Sequence, residues 1–156
     1  MQKIIFILFL FLLNSCSDSA VITNEMRDIP DAKWGYNQIP DFKFTVNNAG
    51  IYHEIDLKLK VFKNYPFENL YLLTHIKDPD GKITSQRINF TLADITGKPT
   101  GNISGNSVTY ELPLIKEFKA NKSGVFFIAI EQNMRDSVIN GMQSIGVKVK
   151  EGNPIF

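Results

Sequence analysis

The chain contains little cysteine and little histidine, and this scarcity excludes several kinds of site. Cys16 is the one cysteine among 156 residues, and there are two histidines. One cysteine cannot form an internal disulfide or by itself supply a four-ligand structural zinc site. The two histidines also lack the H-x-H and H-E-x-x-H spacings of common metal sites. We therefore expect no metal and no other cofactor, and we interpret His53 and His75 as structural residues of predicted strands.

The chain also lacks an excess of charge of either sign. It has 17 basic and 16 acidic side chains, without a basic stripe. Nucleic-acid-binding proteins usually carry a basic patch, so we expect no nucleic acid as a partner. No catalytic constellation stands out, since the serine of "GNISG" at 101–105 lies one place too late for a nucleophile elbow. We therefore predict no enzyme activity and no small-molecule substrate.

The chain has no apolar run long enough to span a membrane comfortably, and its one marked apolar run is short. Residues 4–13 are apolar without a break, whereas a membrane-spanning helix needs about 17–25 such residues. A lysine before the run and a small residue after it are typical of a secretory signal peptide. The run ends in Leu-Asn-Ser-Cys, which resembles the bacterial lipobox, where the thiol is lipidated and the preceding peptide is removed. This predicts a signal peptide at 1–15 and a lipid anchor at Cys16; the alternative is an ordinary signal peptide with an accidental cysteine nearby.

The predicted anchor implies a location in the cell envelope. Each buried methylene contributes about 0.8 kcal/mol, and two or more acyl chains hold a protein stably on a membrane. Ser17 follows the cysteine in place of the aspartate that is a familiar signal for retention in the inner membrane. We therefore expect membrane lipid as a partner through Cys16, and the outer membrane as the location.

The rest of the chain alternates apolar and polar residues with a period of two. In "IYHEIDLKLKVF" the apolar residues are Ile55, Leu57, Leu59 and Val61, with acids and lysines between them. This alternation is typical of a strand with one buried face. The segments 69–76 and 124–132 are apolar on both faces and predict central strands. The sequence predicts an all-β protein, an antiparallel β-sandwich of about seven or eight strands, Ig-like or jelly-roll-like.

The predicted domain organisation follows from where the alternation begins. Residues 16–41 are predicted to form the lipidated cysteine, a polar tether and an edge segment pinned by Trp34, and residues 42–156 the sandwich. Within it, "DPDGK" at 78–82 predicts a hairpin turn with Gly81 at positive φ. The start of a calcium loop is the rejected alternative for this segment, because the later ligands are missing.

A candidate partner-binding site lies after the second central strand. An eleven-residue loop, 133–143, is predicted there, and long structured loops are often functional. We predict that Met134 and Arg135, with Glu131 and Gln132 before them, contact another envelope protein, because methionine and arginine are enriched at interfaces. In the alternative, Arg135 pairs with an acid or with carbonyl groups and only holds the loop.

Several blocks of the chain resemble the GldH gliding-motility lipoproteins. These blocks are "IPDAKW" at 29–34, "NYPFENLYLL" at 64–73, "LADITGK" at 92–98, "IEQNMRD" at 130–136 and "GMQSIGVKVK" at 141–150. The resemblance covers nearly the whole chain after Cys16. It implies a non-enzymatic, membrane-anchored component of the machinery that moves adhesins along the surface of gliding bacteria. It also implies partners in that machinery, which is associated with the type IX secretion system.

A second functional hypothesis is a carbohydrate-binding surface lipoprotein. Trp34, Tyr36, Tyr52 and Tyr65 would form the aromatic platform for a sugar. Aromatic residues of a sandwich more often belong to its core or to cross-strand pairs, so this hypothesis ranks second.

Overall fold

The protein folds into antiparallel sheets packed around one apolar core. The computed structural model describes residues 20–152, so the predicted signal peptide and Cys16 lie outside the described residues. Within that range no helix is long and apolar enough to cross a membrane. A short 3-10 helix, Pro30–Ala32, follows the first strand. The strands are β1 (Val21–Asp28), β2 (Lys33–Gly35), β3 (Asp41–Val46), β4 (Tyr52–Phe62), β5 (Asn69–Lys77), β6 (Ile83–Thr91), β7 (Asn102–Ser104), β8 (Ser107–Lys119), β9 (Gly124–Gln132), β10 (Val138–Asn140) and β11 (Met142–Glu151).

The strands form two large sheets and one small one. The five-stranded sheet has the order β1-β11-β4-β8-β7, and the four-stranded sheet has the order β3-β9-β5-β6. β10 and β2 form a separate pair. In the described part of the chain eight strands have six or more residues and three have three residues each. The predicted antiparallel β-sandwich is therefore confirmed, and β5 and β9 are its predicted central strands.

The core is built from the alternating apolar residues of both sheets. In β4, Ile55, Leu57, Leu59 and Val61 are all buried, as the alternation predicts. Phe42, Phe44 and Val46 of β3 face the same core, together with Val108 of β8 and Val147 of β11. Fully burying one such side chain stabilises the fold by about 1.5–3 kcal/mol. In strands that alternate in this way, the alternation therefore fixes which face points inward.

The N-terminal segment differs from the prediction. Residues 21–28 form β1, which pairs with β11 along the edge of the five-stranded sheet, whereas the sequence analysis placed them in the segment 16–41 of tether and edge segment, ahead of the sandwich. Most side chains of β1 are exposed, so the strand lacks the apolar alternation by which a half-buried strand is recognised. Trp34, which was predicted to pin the edge segment, is fully buried and lies in β2. The five-stranded sheet therefore begins with β1, ahead of the predicted boundary at residue 42.

The predicted loop 133–143 is also shorter than expected. Its second half contains β10, which pairs with β2 through Ile139 and Trp34. Three-residue strands carry too few residues for a periodic pattern to be visible. The irregular part of this connection is therefore residues 133–137.

The predicted hairpin turn at 78–82 is confirmed. Gly81 has φ of 86°, a left-handed conformation that glycine adopts without the penalty of a Cβ atom. The Asp78 carboxylate accepts hydrogen bonds from the main-chain N–H groups of Asp80 (3.0 Å) and Lys82 (2.9 Å). This is a turn stabilised by its own aspartate.

The two ends of the sandwich are distinct. β1 begins where β11 finishes, because Val21 pairs with Lys150, and we call this the Val21 end. β4 begins at the same end and finishes at the opposite one, where residues 63–68 lead into β5. β9 finishes beside the start of β5, so residues 133–137 lie at this opposite end, which we call the loop end. The eight residues of β1 separate the ends by about 26 Å, at about 3.3 Å per residue.

Candidate functional site

The loop 133–137 is shaped by one buried side chain, that of Gln132. Its side chain is fully buried and donates from Nε2 to the main-chain oxygens of Asp136 (3.1 Å) and Ser137 (3.3 Å). Its Oε1 accepts a hydrogen bond from the Met134 N–H (3.0 Å). A buried amide with these partners gives the loop a defined conformation. This burial removes Gln132 from the predicted contact surface, since its side chain cannot reach a partner.

Two further contacts hold the loop against neighbouring elements. The Tyr36 hydroxyl donates to the main-chain oxygen of Met134 (2.7 Å) and lies 3.2 Å from that of Arg135. The thioether of Met134 accepts a hydrogen bond from the Tyr71 N–H (3.2 Å). These contacts leave the Arg135 side chain exposed, and within residues 20–152 it forms no ion pair with an acid. Gln132 and Tyr36 thus hold the loop, which is the role that the alternative gave to Arg135.

A cleft of about 430 Å³ lies between this loop and the outer face of the four-stranded sheet. Its apolar wall consists of Phe67, Tyr71 and Met134. Its polar lining comes from both the loop and the sheet: Asn69, Arg87, Asn133, Arg135 and Asp136. The loop end therefore presents a concave surface with aromatic and charged groups side by side, as binding sites commonly do.

Arg87 contacts an aromatic ring. Its guanidinium carbon lies 4.6 Å from the centre of the Tyr71 ring, a cation–π contact. The two residues come from the adjacent strands β6 and β5. In the described part of the chain no acid forms an ion pair with this guanidinium, so its N–H groups stay available to a ligand. The sheet thus contributes one positioned cation to the cleft, and the loop contributes Arg135.

The structure gives the predicted site residues different roles. Met134 and Arg135 line the cleft. Glu131 is not among the lining residues, and its carboxylate lies 3.4 Å from Nε2 of His75. Sequence reasoning missed Phe67, Tyr71 and Arg87 as lining residues. Tyr71 lies inside the "NYPFENLYLL" block, so the sequence held a signal that could have pointed to it. Arg87 lies in none of the blocks, and no sequence signal pointed to it.

The two histidines occupy structural positions. His53 is buried among aromatic rings, with Phe44 and Phe118 at centroid distances of 6.4 Å and 6.3 Å. His75 bridges neighbouring strands on the outer face of the sheet, with Nδ1 2.7 Å from the Ser85 hydroxyl and Nε2 towards Glu131. Among residues 20–152 there is no group of three or more His, Cys, Asp or Glu side chains that could hold a metal ion.

The aromatic platform of the carbohydrate hypothesis does not form. Trp34 is fully buried, and its indole N–H donates to the main-chain oxygen of Gln38 (2.7 Å). Tyr52 lies at the Val21 end, beside Lys119. Tyr65 lies at the loop end and packs against Phe67. The four aromatic residues therefore share no surface, because the length of β4 separates Tyr52 from the others.

A second cleft, of about 570 Å³, lies at the Val21 end. Its apolar floor includes Ile76, Phe118 and Phe126. Of the charged groups on its rim, Lys122 and Asp80 form an ion pair with each other. The charges of this cleft are thus partly neutralised within the protein, unlike the two arginines at the loop end.

Comparison with known proteins identifies the family. A sequence model of the family described as GldH lipoprotein matches residues 21–149. The chain belongs to the GldH lipoprotein family. The resemblance predicted from the sequence blocks is confirmed, and the matched range includes every residue that lines the loop-end cleft.

Two curated proteins share most of the length of this GldH-family chain. The gliding motility lipoprotein GldH homolog of Christiangramia forsetii is 25% identical over 142 positions, which cover 90% of this chain and 86% of the relative. The gliding motility lipoprotein GldH of Flavobacterium johnsoniae is 24% identical over 156 positions, which cover 94% of each chain. Family membership supports a membrane-anchored location in the cell envelope.

Proposed function

We propose that this protein is a non-enzymatic, lipid-anchored interaction module of the gliding-motility machinery associated with type IX secretion. The names of both relatives contain the words gliding motility lipoprotein, and neither those names nor the family description assigns a catalytic activity. The observation that carries the proposed role is the cleft at the loop end, where the predicted contact residues Met134 and Arg135 lie beside aromatic groups.

The anchor in this proposal is Cys16, which precedes β1 by five positions. Five residues span at most about 18 Å, at about 3.3–3.6 Å per residue. The first residue of β1 lies at the end of the sandwich opposite to the cleft. A lipidated Cys16 therefore keeps the Val21 end near the membrane, and the cleft faces away from it. This orientation suits a partner protein better than a lipid as the occupant of the cleft.

Labelling with a radioactive fatty acid tests the anchor. The parent protein should incorporate the label, and a Cys16→Ser protein should not, because the thiol is the acylated group. The variant should accumulate uncut or as a product released from the membrane. Label on the Cys16→Ser protein would refute the anchor.

The outer membrane is the proposed location because Ser17 follows the cysteine. Separation of the two membranes by density should place the parent protein in the outer-membrane fraction. Ser17→Asp is the matched variant, since it introduces the residue associated with retention in the inner membrane. It should move the protein to the inner-membrane fraction. Recovery of the parent protein in the inner membrane would contradict the location.

The interaction role is tested by affinity capture of the tagged, lipidated protein from detergent-solubilised envelopes. Arg135→Glu reverses a charge in the cleft and should abolish partner capture and any motility while folding, lipidation and abundance stay normal. Lys116→Glu is the matched control, because it reverses an exposed charge on β8 outside the cleft. Normal capture by a stably folded Arg135→Glu protein would refute the proposed contact surface.

A further inference from the structure

Two positive charges in the loop-end cleft are left without an acidic partner by the protein itself. Arg87 and Arg135 both line the cleft, and in the described part of the chain no carboxylate forms an ion pair with either. Arg27, Lys148 and Lys150, by contrast, are each paired with an acid. Guanidinium groups stay charged at all physiological pH values. The cleft thus offers two cations without an ion-pair partner beside an apolar wall.

The geometry of Arg87 favours a carboxylate as the ligand. The cation–π contact with Tyr71 at 4.6 Å restricts the side chain before any ligand arrives, which lowers the entropy cost of binding. A guanidinium presents parallel N–H donors that match the two oxygens of a carboxylate. No acid of the described residues pairs with these donors. Arg87 is therefore already arranged for a planar, two-oxygen anion.

The wall of the cleft adds a second requirement for the ligand. Phe67 and Met134 are half-buried residues packed against the core, and both line the cleft together with Tyr71. Aromatic and thioether groups bind apolar and aromatic side chains well. A small inorganic anion would leave this wall uncovered, whereas a peptide would cover it.

We propose that the loop-end cleft binds a segment of a partner protein in which a carboxylate lies next to an apolar or aromatic side chain. The carboxylate sits between Arg87 and Arg135, and the apolar side chain packs on Phe67 and Met134. This inference rests on the proposed interaction role and gives the partner's chemistry. Because the cleft faces away from the anchor in that role, the acidic segment comes from a protein beyond the membrane surface.

Asp136 sets the net charge of the cleft. It is the one acidic residue among the lining residues, and its main-chain oxygen is held by Gln132 (3.1 Å). With two arginines and one aspartate, the cleft has a net charge of one positive unit. The Asp136 carboxylate repels the carboxylate of an incoming segment, so removing the charge of Asp136 should strengthen binding of an acidic segment.

The test uses the full-length lipidated protein in detergent micelles with ¹³C-labelled methionine methyl groups. The Met134 methyl reports on the cleft, whereas Met26 on β1 and the buried Met142 report on other places. The probe is a short peptide with blocked ends that alternates glutamate and phenylalanine. Its control replaces each glutamate by glutamine. The acidic peptide should shift the Met134 signal alone, and added salt should weaken its binding.

Variants then separate charge from shape. Arg87→Gln and Arg135→Gln should each weaken binding of the acidic peptide at least about tenfold. Arg87→Lys, which keeps the charge and loses the paired donors, should also weaken it. Asp136→Asn should strengthen it a few-fold. An equal Met134 shift with the glutamine peptide, or unchanged binding by the arginine variants, would overturn the inference. A Met134 shift caused by dextran in place of the acidic peptide would assign the cleft to carbohydrate and would also overturn it.

Partner capture from envelopes distinguishes this inference from the proposed function. If Arg135→Glu abolishes capture but the acidic peptide does not bind the parent protein, the interaction role stands and the inferred ligand chemistry is wrong. If the peptide binds as expected but capture is unaffected by Arg135→Glu, the ligand chemistry is supported and the proposed role of the cleft in the envelope is wrong.

Discussion

The phenolic hydroxyl of Tyr36 donates a hydrogen bond to the main-chain oxygen of Met134 at 2.7 Å, across 98 positions of the chain. The bond joins the segment after β2 to the loop that lines the cleft. It acts on the main chain of the loop and so fixes the direction in which Met134 and Arg135 project. The N-terminal third of the protein, from which the proposed anchor extends, thus helps to shape the proposed contact surface.

Removing this hydroxyl should loosen the loop. In a Tyr36→Phe protein we expect faster amide hydrogen exchange across residues 133–137 and a loss of about 0.5–1.5 kcal/mol in the free energy of unfolding. Tyr52→Phe is the control, because Tyr52 lies at the Val21 end, far from the loop. Unchanged exchange across residues 133–137 in the Tyr36→Phe protein would show that the bond does not hold the loop.

Gln132 should be far less tolerant of substitution than Glu131 beside it. Gln132→Leu leaves the carbonyl of Asp136 and the N–H of Met134 without these partners, while the Ser137 carbonyl keeps its hydrogen bond from the Tyr36 N–H; the loss should cost about 1–3 kcal/mol. Gln132→Glu should cost more at neutral pH, because a buried carboxylate would face two carbonyl oxygens. Its deficit should shrink as the pH falls and the carboxylate becomes protonated.

Urea unfolding at neutral and acidic pH measures these differences. Glu131→Gln is the matched control, since Glu131 is only partly buried and keeps a hydrogen-bonding side chain after the change. We expect the Glu131→Gln protein to be about as stable as the parent. A Gln132→Glu protein as stable as the parent at neutral pH would mean that this side chain does not organise the loop.

The sequence predicted the long strands well because burial imposes a periodic pattern on them. Ile55, Leu57, Leu59 and Val61 show this pattern, and all four are buried. The same reasoning missed β1, because an edge strand with mostly exposed side chains has little need of apolar residues. It also missed β2 and β10, since three residues are too few to show a period.

The candidate site was predictable only where it lies within one stretch of the chain. Met134 and Arg135 were found because they follow a central strand in a structured loop. Arg87 was missed, since its place in the cleft depends on the pairing of β6 with β5, which no local pattern reveals. The buried role of Gln132 was missed for a similar reason, because its partners lie in the loop that it folds.

The packing of β1 on the sandwich should depend on Gly146 of β11. A Cβ atom at this position would clash with the main-chain oxygen of Glu25 and with the sulfur of Met26, both on β1. Gly146→Ala should therefore displace β1 and lower the free energy of unfolding by about 1–3 kcal/mol, with faster amide exchange across residues 23–28. Gly152→Ala is the control, because its Cβ would meet only the flexible side chain of Glu54 within 3.4 Å.

Thermal unfolding and hydrogen exchange measure this effect. The Gly152→Ala protein should match the parent within a few tenths of a kcal/mol, as surface substitutions usually do. If the Gly146→Ala protein keeps both the melting temperature and the protection of residues 23–28, then β1 is not packed against β11 as described.

Tyr65 and Tyr110 form a matched pair for testing buried hydroxyl groups. The Tyr110 hydroxyl donates to the main-chain oxygen of Leu92 (2.7 Å), whereas that of Tyr65 is buried with no hydrogen-bond partner among the described residues. Tyr110→Phe should therefore lower the free energy of unfolding by about 1 kcal/mol, and Tyr65→Phe should leave it unchanged or raise it slightly. Denaturant unfolding at neutral pH compares the two variants with the parent.

The buried hydroxyl of Tyr65 should make the free energy of unfolding depend on pH in the alkaline range. Burial, and to a smaller extent the charge of Tyr110, raises the pKa of Tyr65 well above its ordinary value of 10.0. Because the pKa of Tyr65 is higher in the folded protein, this phenol loses its proton at a lower pH in the unfolded chain. Its contribution to the free energy of unfolding is therefore complete below about pH 10 and is lost as the pH rises beyond that value. Tyr65→Phe removes this group, so its free energy of unfolding should fall less steeply than that of the parent between about pH 9 and about pH 11. Identical alkaline slopes for the two proteins would mean that Tyr65 ionises as easily in the folded protein as in the unfolded chain.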